Sequence, residues 1–263
     1  MGQSRVHEVH NGPRLNIKIK NGIAIVFSDC HYWPKKKSTA HRALVKMVRE
    51  LKPDALICNG DAVDMASVSR HPPIGWERRP TVQEEIEWAQ ECLTEILDAC
   101  PKKSYRTWNL GNHDSRFETR LADKAPEYAR VKGIHLHDHF PEWDRAWSTW
   151  INKDVVVTHR YLGGDNAPYR NTVRSGKTMI TGHLHSAKIC PYTDYNGTRF
   201  GVDPGCVADT HDTQFVNYTE DNPKNWISGF GVFTFDNYRL RWPELVTVWD
   251  KNHVQFRGKI IRC

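Results

Sequence analysis

Seven side chains able to ligate a metal fall in five short blocks between residues 29 and 185. The blocks read Asp29-Cys30-His31, Gly60-Asp61, Gly111-Asn112-His113-Asp114, His159, and Gly182-His183-Leu184-His185. The ligands among them are Asp29, His31, Asp61, Asn112, His159, His183 and His185. Carboxylate and amide oxygens mixed with imidazoles are the donors that borderline divalent ions prefer. Two such ions about 3.5–4 Å apart make a hydrolytic centre: they draw a nucleophile from water near neutral pH and offset charge on a phosphoryl group. A satisfied buried imidazole would account for any one of these histidines, but that explanation must recur independently at every position. The donor set therefore points to phosphoester hydrolysis with two divalent metal ions. Manganese is favoured, with iron, zinc, cobalt and nickel also compatible.

Each block follows a short apolar run that reads as a strand: Ile23–Ser28, Ala55–Asn59, Tyr105–Leu110, Asp154–Thr158 and Thr178–Thr181. Five such strands side by side would deliver the ligands to one rim, with the loops after them free to turn out of the sheet. Residues two apart on extended chain share a face, which pairs Asp29 with His31 and His183 with His185. Between the first two strands, Ala40, Ala43, Leu44, Met47, Val48 and Leu51 recur at helical steps, with Ser38 or Thr39 as N-cap and Pro53 beyond the end. Ile86, Ala89, Leu93, Ile96 and Leu97 do the same within Thr81–Cys100. Strand–helix alternation of this kind predicts an α/β layered fold. After Gly182, the runs Ala187–Thr193, Thr198–Val202, Gly229–Phe235 and Leu245–Trp249 predict a mostly antiparallel sheet, with turns at Asn196-Gly197 and Asp236-Asn237.

The order D-x-H, G-D, G-N-H-D, H, G-H-x-H resembles the calcineurin-like metallophosphoesterase superfamily, and specifically its nuclease and phosphodiesterase branch. The resemblance runs from about Ile23 to Gly205, because Val202-Asp203-Pro204-Gly205-Cys206 is similar to the family's Asn-Pro-Gly-Ser turn. Thr158-His159-Arg160 departs from the usual Gly-His, and Asp203 and Cys206 stand where Asn and Ser are common. The resemblance implies a four-layer α/β-β-α sandwich of two mixed sheets flanked by helices. It also implies that Asp61 bridges two ions, one held by Asp29, His31 and His185 and the other by Asn112, His159 and His183. His113 would be the acid that protonates the leaving oxygen, with Asp114 orienting its ring.

The chain has 263 residues, of which 39% are hydrophobic and 26% charged, an ordinary globular balance. It reads as a single domain over 1–263, with a core spanning about 21–250 and loop insertions at about 65–80 and 207–228. Met65–Pro80 carries Arg70, His71, Trp76, Arg78 and Arg79, and Val207–Ser228 is rich in Asp, Asn and Thr. Loops of this length in a compact domain are often functional. Arg70, Arg78 and Arg116 are candidate phosphate contacts. The alternative for Arg116 is a surface pair with Glu118 or Asp123. His135, His137 and His139 alternate as on a strand and read as structural. Trp143, Trp147 and Trp150 keep helical spacing and read as packing. Cys30, between two ligands, should point away from them.

A net charge of +6 suits a polyanionic substrate such as DNA, RNA or a nucleotide. Met1–Lys20 is polar and lacks the apolar core of a signal peptide, and no run reaches membrane-spanning length. Seven scattered cysteines without a C-x-x-C pair favour a reducing compartment, so the expectation is a cytoplasmic protein with no membrane partner. The leading reading is a phosphodiesterase acting on nucleic acid or nucleotides. A phosphomonoesterase and a non-catalytic scaffold of the same fold are the alternatives. Scaffold relatives such as the retromer subunit erode the site, whereas no ligand is missing here.

Overall fold

The strands that precede the ligand blocks are apolar on both faces, the pattern of a sheet covered on each side. In the computed structural model, which describes residues 12–220 and 222–263, the layers follow from that pattern. The Met1–Asn11 part of the polar N-terminal stretch lies outside the described residues. The chain begins with β1 (Arg14–Ile17), β2 (Gly22–Phe27), α1 (Thr39–Leu51) and β3 (Ala55–Cys58). Next come α2 (Val82–Ala99), β4 (Tyr105–Asn109), α3 (Asp114–Lys124), α4 (Leu136–His139), β5 (Asp144–Ala146) and β6 (Ser148–Ile151). They are followed by β7 (Val155–Thr158), α5 (Ala167–Ser175), β8 (Thr178–Thr181), β9 (Lys188–Asp194), β10 (Gly197–Asp203) and α6 (Thr213–Thr219). β11 (Gly229–Asp236), β12 (Arg239–Leu240), β13 (Glu244–Asp250), β14 (His253–Phe256) and β15 (Lys259–Arg262) complete the fold.

One sheet runs β1-β6-β7-β8-β10-β9, and the other β15-β14-β13-β11-β2-β3-β4-β5, with β12 beside β11. Ala24, Val26, Ile57, Val157, Ile180, Val202 and Phe233 fill the space between the two sheets. One residue along, Ile25, Phe27, Leu56 and Cys58 face outward and pack with Leu44, Met47, Leu93 and Ile96 of α1 and α2. α5 covers the smaller sheet at β8 and β10. The result is the four-layer α/β-β-α sandwich. α1 starts on Ser38, whose side chain accepts the His41 N–H, and α2 on a reciprocal capping box between Thr81 and Glu84.

The structure corrects the placement of the five strands. They do not lie side by side: β2, β3 and β4 are parallel neighbours with Phe27, Cys58 and Trp108 in register. β7 and β8 belong to the other sheet, where Thr158 lies opposite Thr181. The rim that carries the candidate ligands is therefore shared between two sheets. Nor do the later strands make a sheet of their own. Their pairing is antiparallel in the β9–β10 hairpin and from β11 to β15, but β10 joins β8 in parallel and β11 pairs with β2. An open strand edge carries unpaired N–H and C=O groups, and each later segment extends one of the existing edges.

The tryptophan run is not helical. Trp143 is buried, its ring edge-on to Phe27 (6.2 Å) and Trp108 (6.4 Å). Trp147 is exposed between β5 and β6, and Trp150 lies on β6 with the Arg14 guanidinium 3.9 Å above its ring. His135, His137 and His139 sit on and just before a single helical turn rather than a strand. The first two rings stack at 5.3 Å, and His135 Nδ1 lies 3.3 Å from Glu118. None of the three joins a converging group of metal donors among the described residues. No helix among those residues is long and apolar enough to cross a membrane, and all seven cysteines are free.

Candidate metal centre

Each ligand block starts where a strand ladder stops, and backbone bonds tie the departing loops to one another. Asp29 N–H donates to Gly60 C=O (2.9 Å) and His31 N–H to Asp61 C=O (3.1 Å). Gly182 N–H donates to His159 C=O (3.0 Å), and Val207 N–H to Ser28 C=O (2.9 Å). Below the rim a polar clasp joins the sheets. Asn109 Nδ2 donates to Asn59 Oδ1 (2.9 Å) and to Val157 C=O (3.0 Å), while Asn59 Nδ2 donates to Thr158 C=O (3.1 Å). Sequence reading missed this pair; the available signal was an asparagine closing each of two apolar runs.

Five of the candidate ligands have left-handed backbone: Asp29 (φ 53°), His31 (41°), Asp61 (53°), His183 (72°) and His185 (58°). Such conformations cost about 1–3 kcal/mol each for residues other than glycine, and they concentrate at functional sites. The loops also approach closely. A Cβ at Gly60 would stand 2.5 Å from His159 Nδ1, and one at Gly111 2.0 Å from Asp61 Oδ1. Only glycine fits there.

Among the described residues, side chains converge in three groups of donor atoms: Asp29, His31 and His185; Asp61, His159 and His183; and His31, Asp64 and His113. Asp29 Oδ1 lies 3.1 Å from His185 Nε2 and 4.0 Å from His31 Nε2, and Asp61 Oδ2 lies 3.1 Å from His159 Nε2. The short contacts lack hydrogen-bond geometry: Asp29 Oδ1 and His159 Nε2 are buried without a hydrogen-bond partner, as are Asn112 Oδ1 and His185 Nδ1. Outer contacts select the tautomers. His159 Nδ1 lies 2.8 Å from Asn59 C=O, and His31 Nδ1 lies 3.2 Å from Asp64 Oδ1. In each ring Nδ1–H donates outward, which leaves Nε2 facing a carboxylate.

Electrostatics agree. Burial opposes ionisation of Asp61, yet His159 above all, with His113 and His31, holds its carboxyl well below the usual range. Burial likewise opposes charge on His159, but Asp61 and Asp29 raise it to about 9. Burial and then His159 push His183 down to about 4, so the pocket takes a proton on one ring and refuses it on the next. Buried carboxylate oxygens and imidazole nitrogens that converge in this way are donors that fit divalent metal ions.

The structure also relocates the partner expected for His113. Asp114 does not touch that ring. Its buried carboxylate accepts the N–H groups of Asp61 (2.8 Å), Ala62 (2.9 Å) and Gly111 (2.8 Å) and the Trp108 indole N–H (2.9 Å). As the first residue of α3 it points back at the Asp61 loop, so it shapes the loop rather than the histidine. The carboxylate beside His113 is Asp64, with Oδ1 2.7 Å from Nδ1. Burial favours a neutral His113 ring, but the Asp64 contact and the charge of Asp61 raise its pKa above the ordinary value. Sequence reading missed Asp64, although Gly60-Asp61-Ala62-Val63-Asp64 places it three residues beyond a ligand. Behind it, buried Glu85 on α2 accepts the N–H groups of Met65 (2.5 Å) and Ala66 (2.9 Å), pinning the turn that presents Asp64.

Arg116 turns inward instead of pairing with Glu118 or Asp123. Nη1 donates to Asp64 C=O (3.0 Å), and Nη2 lies 3.2 Å from His113 Nε2. Arg70 and Arg78 are exposed, and neither contacts the ligand groups among the described residues. The 207–228 insertion packs on the site, with Phe215 and Trp226 edge-on to His185 at 6.3 and 4.8 Å and Gln214 Nε2 3.4 Å from His31 C=O. Cys30 is buried in the apolar core beneath the helices, away from the converging donors.

A sandwich of this kind with buried carboxylate–imidazole clusters at the loop ends defines a metal-binding phosphoester hydrolase. The chain belongs to the calcineurin-like phosphoesterase family, whose model matches residues 24–187. It is 27% identical over 227 residues to the Gene 54 protein of Mycobacterium phage D29, and 23% over 235 residues to that of Mycobacterium phage L5. Each alignment covers 79% of this chain and 86% of the relative. Similar solved structures include zinc-complexed Vps29 from Entamoeba histolytica (12% identity, TM-score 0.45, 91% of this chain and 98% of that one). An archaeal phosphodiesterase is another (15%, TM-score 0.43, 86% and 99%).

Two outcomes are expected. Asp61→Asn should lower both metal content and turnover more than Asp29→Asn does, with metal measured by elemental analysis beside the rate; near-native rate with unchanged metal would remove Asp61 from the shared position. Glu85 is raised to about 7, chiefly by burial and then by the charge of Asp64. A carboxyl raised on folding contributes stability that is full below its unfolded pKa and is lost as pH rises through about 7. Glu85→Gln should therefore flatten the pH dependence of urea unfolding over that window. An unchanged slope would contradict the assignment.

Proposed function

We propose that the protein is a phosphodiesterase acting on nucleic acid or nucleotides through two divalent ions, with His113 as the acid for the leaving oxygen. The observation that carries this reading is the setting of His113. One ring nitrogen is held by Asp64, and the other lies 3.9 Å from Asp61 Oδ2 at the edge of the ligand groups. Asp29, His31 and His185 would hold one ion and Asn112, His159 and His183 the other, with Asp61 common to both. Four imidazoles in that set favour manganese over magnesium, which prefers oxygen donors. When bound, such a pair supplies a nucleophile from water and neutralises charge on the phosphoryl oxygens.

The chain's own residues supply the rest. Asp64 fixes the His113 ring so that Nε2 faces the rim. In the resting arrangement Arg116 Nη2 sits beside that nitrogen. A phosphoryl oxygen is a stronger acceptor than an imidazole, so substrate draws the guanidinium to itself and frees Nε2 to take a proton from solvent water, which it then passes to the departing oxygen. The net charge of +6 and the exposed Arg70 and Arg78 suit a polyanionic strand.

With manganese added, the protein should hydrolyse bis-nitrophenyl phosphate faster than nitrophenyl phosphate; the reverse order would overturn the diester reading. His113→Ala should keep its metal and lose about 10²–10⁴ in rate on a substrate with a ribose leaving group. The loss should shrink for nitrophenolate, which departs without a proton. Equal losses on both substrates, or loss of metal, would reassign His113 to ligation or structure.

A further inference from the structure

A tryptophan is normally among the most buried side chains, yet Trp76 is 104% exposed, with no packing partner on the loop that carries it. That loop is firmly built. It leaves the site directly after Asp64, passes a single 3-10 turn at Ala66–Val68, and is closed by Arg79. The Arg79 guanidinium donates to three carbonyls, Ala66 (3.0 Å), His71 (2.9 Å) and Pro72 (2.8 Å), so the end of the loop is fastened to its beginning. Pro72 and Pro73 stiffen one arm, and a turn from Ile74 C=O to Glu77 N–H (3.3 Å) sets Trp76 at the tip. Glu77, the loop's sole acid, pairs with Arg79 at 3.5 Å. Arg70 and Arg78, before and after Trp76 along the loop, are exposed.

A braced loop offering one bare aromatic ring, with two exposed arginines elsewhere along it, is poorly suited to a protein partner, which would require a broader apolar patch; here Ile74, 49% exposed, is the large apolar side chain that accompanies the ring. The same chemistry suits an unpaired base, whose π-face stacks on indole while neighbouring phosphates meet arginine. We infer that the 65–80 loop is a contact for single-stranded nucleic acid, with Trp76 stacking on an unpaired base and Arg70 and Arg78 meeting the backbone. This rests on the nucleic-acid reading above and adds where the strand is held. The root of the loop adjoins Asp64, which touches His113 and His31, so the loop that carries Trp76 is tied to the candidate site.

The test is a fluorescence-anisotropy titration of labelled oligo-thymidylate, with the full chain in a His113→Ala background so that the strand survives. Trp76→Ala should weaken binding about tenfold or more, the usual loss for one stacked base, and Trp76→Phe should restore most of it. Arg78→Ala should weaken binding and flatten its salt dependence. Hydrolysis of bis-nitrophenyl phosphate by the otherwise native Trp76→Ala protein should be unchanged. Equal oligonucleotide affinity with and without Trp76 overturns the inference, as does a Trp76→Ala change that alters only the sedimenting mass, which would make the loop a self-association surface. A parent that cleaves bis-nitrophenyl phosphate but binds no oligonucleotide instead overturns the nucleic-acid reading on which the inference rests.

Discussion

Carboxylates taken out of water need a counter-charge close by, and this fold packs two of them against imidazoles. Asp29 Oδ1 and His185 Nε2 stand 3.1 Å apart, as do Asp61 Oδ2 and His159 Nε2, without the hydrogen-bond geometry that would make those contacts self-sufficient. Much of the surrounding structure is the restraint this arrangement requires. Five of the converging side chains stand on left-handed backbone, two glycines let the loops approach, and neighbouring loops bond to one another beyond their strands. Burial deepens the demand for positive charge, because carboxylates taken out of water must find a counter-charge nearby.

Buried carboxylates around the rim divide into those that face the site and those that hold it. Asp61 and Asp29 face inward. Asp114 spends its oxygens on the backbone of the Asp61 loop and on the Trp108 indole. Glu85 does the equivalent for the turn after Asp64, and Asp203 for the loop after His185, accepting the Ser186 N–H at 3.1 Å and Gly205 N–H at 2.9 Å. Removing a ligand and removing one of these supports should thus have different signatures, since a support moves a loop whose ligands remain chemically intact.

Most of the donor set was legible in the sequence because short motifs at strand ends are local: a ligand, its neighbouring glycine and the apolar run before it lie within a few residues. Strand positions before the five blocks, the helices capped by Ser38 and Thr81, and the overall layering followed from the same local periodicity. What was hidden is what depends on partners far apart in the chain. The division of the five strands between two sheets, the Asn59–Asn109 clasp and the inward turn of Arg116 are examples. Asp114 misled because adjacency to His113 suggested contact, whereas the first residue of a helix points its side chain back at the preceding loop. Trp143, Trp147 and Trp150 misled because three residues at helical spacing also fit two short strands with a turn between them.

The most direct test of the two-ion reading is a crystal structure of the protein soaked in manganese, with the ions located by anomalous scattering. The account predicts two peaks, one among Asp29, His31 and His185 and one among Asn112, His159 and His183, with Asp61 touching both. A single ion, or one seated instead among His31, Asp64 and His113, would contradict it.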